Sequence, residues 1–167
     1  MRKGLWLILA AALMAGCHRT QPQTPSYKSG RAVVADSALL QALEMNRRLA
    51  EEADRQLTRY AAEGYAMTES GYWAKGLRNA DNILQEGETV EVHLRVLALD
   101  TTLLEDMRST LTIGKEQLPE AAADALRQMT RGAKVSLAVP WYLAFGSTGT
   151  DHVPPYTNVL IEMETAQ

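Results

Sequence analysis

Val139 to Thr165 reads VPWYLAFGSTGTDHVPPYTNVLIEMET. An apolar residue leads into Pro140, aromatic residues follow, and the chain then turns at Gly146-Ser147-Thr148-Gly149 and again at Pro154-Pro155. Glycine and proline in such clusters end regular structure and build turns. Beyond them Val159, Ile161 and Met163 recur at every second position, with Leu160 on the opposite face. Period two is the pattern of a strand with one face in a core. Upstream, Val135, Leu137 and Val139 alternate in the same way. The stretch therefore reads as a loop with two Pro- or Gly-bearing turns, hung between the last two strands of a sheet.

The same period extends toward the N-terminus. In Thr89–Leu99, the residues Val90, Val92, Leu94, Val96 and Ala98 face one way and Glu91, His93 and Arg95 the other. Asp100-Thr101-Thr102 is a turn, Ser109–Ile113 a further strand, and Gly71–Leu77 a short aromatic one. Between them lies a helical stretch, Glu120–Met129, with three consecutive alanines at 121–123 and Gly132 beyond its end. Pro119 suits its first turn, where a missing N–H leaves nothing unsatisfied. Asp36 to about Glu63 reads as one long helix, capped by Asp36 or Ser37 and stopped by Gly64. Its stripe of Leu39, Leu43, Leu49, Ala53, Leu57 and Tyr60 is thin. Packing on its own domain is the simpler reading of that stripe, and a dimerisation arm the second. The economical architecture is α+β, one antiparallel sheet with a short helix across it.

The chain has 167 residues, 46% apolar and 22% charged, with a net charge of −3. That suits one domain with accessories. Residues 1–16 begin Met1-Arg2-Lys3, continue with an apolar run from Leu5 to Met14, and end in Ala15-Gly16 before Cys17. This is the pattern of a secretory signal, too short to span a bilayer as a stable helix. Leu13-Met14-Ala15-Gly16-Cys17 resembles a bacterial lipobox, in which the cysteine is lipidated and becomes the new N-terminus. Cys17 is the single cysteine. An unpaired thiol is a liability in an oxidising compartment, and a thioether to lipid removes it. Cleavage would take Lys+Arg from 17 to 15 against 20 Asp+Glu, leaving about −5. With no basic patch, nucleic acid and anionic lipid surfaces are poor partners. Residues 17–35, polar and turn-rich through Pro22, Pro25 and Gly30, read as a tether. His18 and Arg19 after the cysteine, with no acid nearby, resemble the sorting pattern of outer-membrane lipoproteins. The expected organisation is signal 1–16, tether 17–35, helical segment 36–67 and sheet domain 68–167.

Val139-Pro140-Trp141-Tyr142-Leu143-Ala144-Phe145-Gly146 resembles the Ile-Pro-Pro-Glu-Leu-Ala-Tyr-Gly block of FKBP-type peptidyl-prolyl isomerases. Val153-Pro154-Pro155-Tyr156-Thr157-Asn158-Val159-Leu160-Ile161 is similar to that family's Ile-Pro-Pro-Asn-Thr-x-Leu-x-Phe closing strand. Val92-His93-Leu94 before the Asp100 turn, Gly114-Lys115, the helix to Met129 and Gly132 fall at fitting spacings. The likeness spans about residues 71–165, and the lipobox with a preceding helix is similar to the family's envelope lipoproteins. It implies an antiparallel sheet wrapped on a short helix, with the 146–155 loop folded as a flap over a shallow apolar pocket.

The family's pocket is largely aromatic, and here most of the rings are gone. The position of the tyrosine before the turn is Leu94, and the Phe-Asp pair after it is Leu104-Glu105. An aromatic position further on is Ser109. The tryptophan floor falls on Ala121 or, with a one-residue shift, Ala122. The tyrosine of the Ala-Tyr-Gly block is Phe145, without the hydroxyl. Val153 and Ile161 stand for the flap isoleucine and the closing phenylalanine. The backbone donor before the helix is Leu118, or else Pro119, which has no N–H. The resemblance thus implies catalytic positions at Phe145, Glu105 and Leu104, and substrate contacts at Leu94, Leu118, Ala122, Val153 and Ile161. Trp73, Trp141 or Tyr142 could swing in to replace the lost rings, or neighbouring side chains could close the gap.

Isomerisation of a prolyl bond needs no nucleophile and no cofactor. His18, His93 and His152 share no ligand spacing, so a metal site is not expected. Asp151-His152 reads as a solvent-facing loop pair. The expectation is a lipid-anchored FKBP-type isomerase and chaperone of the cell envelope, in the outer membrane and facing the periplasm. It would act weakly on proline-containing segments of exported proteins. The alternative is a catalytically silent binding module serving an envelope assembly, and a homodimer through the N-terminal helix is a further partner reading.

Overall fold

The computed structural model describes residues 31–78 and 80–167, with the backbone alone for 31–35. The signal at 1–16, Cys17 with its lipid, His18 and the tether up to Gly30 lie outside the described residues. Residues 42–167 form one compact unit; residues 31–41, the described part of the other, are helical.

Helix α1 runs Arg31–Leu57. It begins five residues before Asp36, so residues 31–35 are helix rather than tether, and Asp36 and Ser37 sit inside it rather than at its cap. Arg31-Ala32-Val33-Val34-Ala35 holds no glycine or proline to stop the helix at Asp36, and alanine and arginine favour it. A 3-10 segment, Thr58–Glu63, continues α1 and stops at Gly64, whose φ of +85° gives the left-handed cap. The stripe divides. Leu39 and Leu43 are exposed, whereas Ala53, Leu57 and Tyr60 are buried.

Strands β1 (Ala66–Met67), β2 (Trp73–Lys75), β3 (Thr89–Ala98), β4 (Leu103–Thr112), β5 (Lys134–Val139) and β6 (Val159–Thr165) form one sheet in the order β1-β2-β5-β6-β3-β4. Every pairing is antiparallel. Strand β4 is longer than the expected Ser109–Ile113 and begins directly after the turn at Asp100, whose carboxylate accepts the N–H of Thr102 at 3.0 Å. Helix α2 is Glu120–Arg127, two residues shorter than its sequence suggests. Gln128 and Met129 instead close the end with short-range hydrogen bonds to Ala125 and Leu126.

The alternating residues do what their period requires. Val90, Val92, Leu94 and Val96 of β3, Val135, Leu137 and Val139 of β5, and Val159, Ile161 and Met163 of β6 all join the core cluster against Ala121, Ala122, Ala125 and Leu126 of α2. The opposite face carries a smaller cluster, where Leu97, Ala138 and Leu160 meet Leu57 and Tyr60. The end of α1 and its 3-10 extension therefore pack against the sheet domain itself.

Candidate functional site

The 140–158 loop is closed by its own backbone. After Pro140 a 3-10 turn, Trp141–Leu143, is followed by bonds from Gly146 N–H to Trp141 C=O (2.8 Å) and from Gly149 N–H to Phe145 C=O (3.1 Å). Thr150 N–H donates to Val153 C=O at 2.8 Å, and the Thr150 hydroxyl accepts the N–H of Val153 at 3.0 Å. These bonds turn Val153 inward, where it is fully buried. The side chain of Asn158 accepts the N–H of Trp141 at 2.9 Å and ties the loop's start to its end.

Seven of the eight positions singled out by sequence come together in one cluster. Phe145, Leu104 and Leu118 are half-buried at its edge, and Leu94, Ala122, Val153 and Ile161 lie within it. Glu105, the eighth, is half-buried on β4 and pairs across the sheet with Val96, which in turn pairs with Ile161. Exposure separates the two groups. Leu94 is 2% exposed and Ala122, Val153 and Ile161 are 0% exposed. The positions that would floor a proline pocket are packed as core, and what stays accessible is the rim. Ala121 is equally closed, and Ser109 is half-buried on β4.

None of Trp73, Trp141 and Tyr142 fills the gap; the aromatic ring that is fully buried in the cluster with Ala121 and Ala122 is Tyr72. Trp73 packs with the cluster on the opposite sheet face. Trp141 is buried edge-on against Tyr142 and Tyr156, with ring centroids 5.6 and 4.8 Å away, and its indole N–H has no hydrogen-bond partner among the described residues. Tyr142 turns to α1, its hydroxyl donating to Asp54 at 2.7 Å. The sequence offers no sign of that bond, which joins residues 88 positions apart.

Burial, and then the carboxylate of Asp54, push the Tyr142 phenol up to about 12. An unfolded tyrosine ionises near 10. Between those values the unfolded chain holds fewer protons than the folded one, so stability falls as pH rises through this window and is complete below it. Urea unfolding at pH 8 to 11.5 should show that decline, and Tyr142→Phe should make it shallower, leaving the part that comes from the buried Tyr72 phenol. An unchanged slope in the variant would mean the Tyr142 phenol takes no part.

On the outer sheet face His93 bonds Asp106 at 2.7 Å and Arg95 meets Glu162 at 2.8 Å. His93 therefore sits at the sheet surface, and Asp151 and His152 are exposed.

The model of the FKBP-type peptidyl-prolyl cis-trans isomerase family matches residues 80–165, just over half of the chain. No curated protein sequence matches the chain. Among solved structures, FkpA from Escherichia coli has a TM-score of 0.57 at 14% identity, with 100% of this chain and 82% of that one covered. A peptidyl-prolyl cis-trans isomerase from Pseudomonas syringae pv. tomato scores 0.55 at 20% identity, with 71% of this chain and 94% of that one covered. The N-terminal domain of FKBP42 from Arabidopsis thaliana scores 0.51 at 21% identity, with 60% and 88% covered. At these identities the neighbours speak for the fold: a six-stranded antiparallel sheet, a short helix and a long helix before them.

Proposed function

This chain belongs to the FKBP-type peptidyl-prolyl cis-trans isomerase family, and on that footing we propose that it is a lipid-anchored isomerase and chaperone for exported proteins, with weakened activity. The convergence of seven family site positions in one apolar cluster, with Phe145 half-buried at its edge, supports this reading. Rotation about an amide faces about 18–20 kcal/mol because resonance must be broken. For a bond to proline the two ground states lie close, and the difficulty is speed, at tens to hundreds of seconds. The twisted amide is less polar than the planar one. An apolar surface that holds the proline ring and sheds water therefore favours the transition state.

Here that surface is a rim of Phe145, Leu104 and Leu118 over a closed floor, with little for a proline ring to lie against. Slow catalysis follows. The closed floor also favours a second reading, a silent binding module on the same scaffold within a cell-envelope assembly. Cys17 and its flanks support the anchor and the periplasm-facing location. Leu43, exposed on α1, supports a second copy as partner.

Isomerisation of a short peptide with one prolyl bond, followed with the full chain, separates the two. The expected result is a modest acceleration over the uncatalysed rate, whose catalysed part, kcat/KM, drops about tenfold, ~1.4 kcal/mol of transition-state stabilisation, in Phe145→Ala. No acceleration by the folded protein would leave the binding module.

A further inference from the structure

Five residues before helix α2 and its exposed Glu120, the chain passes through Lys115-Glu116-Gln117-Leu118-Pro119. The Glu116 side chain is 0% exposed. Neither of its carboxylate oxygens takes a hydrogen bond from any of the described residues. Arg127 Nη2 stands 2.7 Å from one of them, out of line for an N–H···O bond, and its own side chain is 54% exposed. A buried carboxylate has room for about four donors and ordinarily finds at least one. Glu116 is thus covered by a half-exposed cation and otherwise unserved.

It lines a cleft of about 340 Å³, within the range of small-ligand sites. Asp124 stands in the same wall, one oxygen accepting the Tyr72 hydroxyl at 2.8 Å, the Ser70 hydroxyl at 2.9 Å and the Gln128 amide at 3.2 Å. All three donors are neutral, so they fix the carboxylate without cancelling its charge. Tyr72 is held well above the usual phenol range by burial and then by Asp124, and it stays a donor. With Glu120 the cleft has three carboxylates against the single guanidinium of Arg127. Its remaining walls include Leu118, Ala121 and Leu143. Among the described residues no group of three His, Cys, Asp or Glu is arranged to hold a metal ion. An aliphatic stem ending in a cation fits both the apolar walls and the charge. Leu118 and Leu143 also pack on the core cluster that Phe145 borders, so the cleft adjoins the prolyl site.

We propose that this cleft receives a lysine or arginine side chain of a peptide client, whose cationic head displaces Arg127 from Glu116. The proposal rests on the peptide-binding reading above and gives the client a chemical character: a basic residue near the proline.

Fluorescence anisotropy of the full chain tests it with labelled hexapeptides identical around one proline and differing at one flanking residue, Lys, norleucine or Glu. The Lys peptide should bind about tenfold tighter than norleucine, and Glu weakest. Glu116→Gln should remove the preference for Lys. Arg127→Gln, which removes the competitor, should strengthen Lys binding several-fold. A merely structural ion pair would move both variants in the same direction, because either change breaks it. Equal binding of the three peptides to the folded wild type, or no binding of any, overturns the proposal. So does a Lys preference that survives in a folded Glu116→Gln protein. Should that variant not fold, a failure of Arg127→Gln to strengthen Lys binding overturns it as well. Lys-dependent binding without accelerated isomerisation would sink the isomerase reading and leave the cleft standing.

Discussion

Ala122→Trp is expected to destabilise the protein by ~3 kcal/mol or more and to bring no gain in isomerisation. Restoring the ring at the family's tryptophan position looks like a repair, and the packing says otherwise. Ala121, Ala122 and Ala125 are 0–1% exposed, and Leu126 beside them is 0% exposed. Small residues on this face of α2 let the helix lie close on Leu137 and Ile161, which are themselves fully buried. Ala122 points into the packed cluster and is not among the residues lining the cleft beside Ala121 and Ala123, and a close-packed interior does not yield room for an indole without moving backbone. The urea midpoint of the full chain and its prolyl isomerisation rate are the two measurements. A variant as stable as wild type and faster in catalysis would mean that the floor is open, and the weak-activity reading would fall with the packing argument.

Much of the fold was legible because burial and period coincide. The alternating residues of β3, β5 and β6 are buried where the sequence places them, since both edges of those central strands are paired; Ala98 is the exception, half-buried beyond the register shift at Val96 and Leu97. Strand β4 is legible only in part. It is an edge strand, and Glu105, Asp106 and Arg108 interrupt the apolar alternation without penalty where water reaches. The start of α1 is not legible because Asp36 and Ser37 look like caps, while nothing in residues 31–35 resists helix. The site positions were legible from the resemblance, and seven of them do converge. Whether the space left by the lost rings is open or filled was not legible. That depends on how closely α2 approaches the sheet, and alanine permits either outcome. Glu116 and Asp124 gave no signal at all, because the partners of Asp124, Ser70 and Tyr72, lie 54 and 52 positions away in sequence.

Gly149→Ala should cost ~3 kcal/mol or more, whereas Gly146→Ala should cost ~1–2 kcal/mol, although the two glycines share one loop and nearly one conformation. Both have φ in the left-handed region, +66° and +68°, so both substitutions carry the same backbone penalty. The difference is space. A Cβ on Gly146 would meet nothing within 4 Å. A Cβ on Gly149 would run into Val153 O and lie 2.8 Å from Pro154 C and Pro155 N, all of them backbone atoms. To relieve that contact the Thr150–Val153 bond must open, and Val153 would lose the geometry that keeps it in the core. Its loss unpins the loop beside Phe145, so Gly149→Ala should also abolish whatever isomerisation the wild type shows, while Gly146→Ala keeps most of it. Equilibrium unfolding of the two variants side by side gives the comparison. Equal losses would show that only the shared φ matters, and that the loop can shift away from Val153 without consequence for the core.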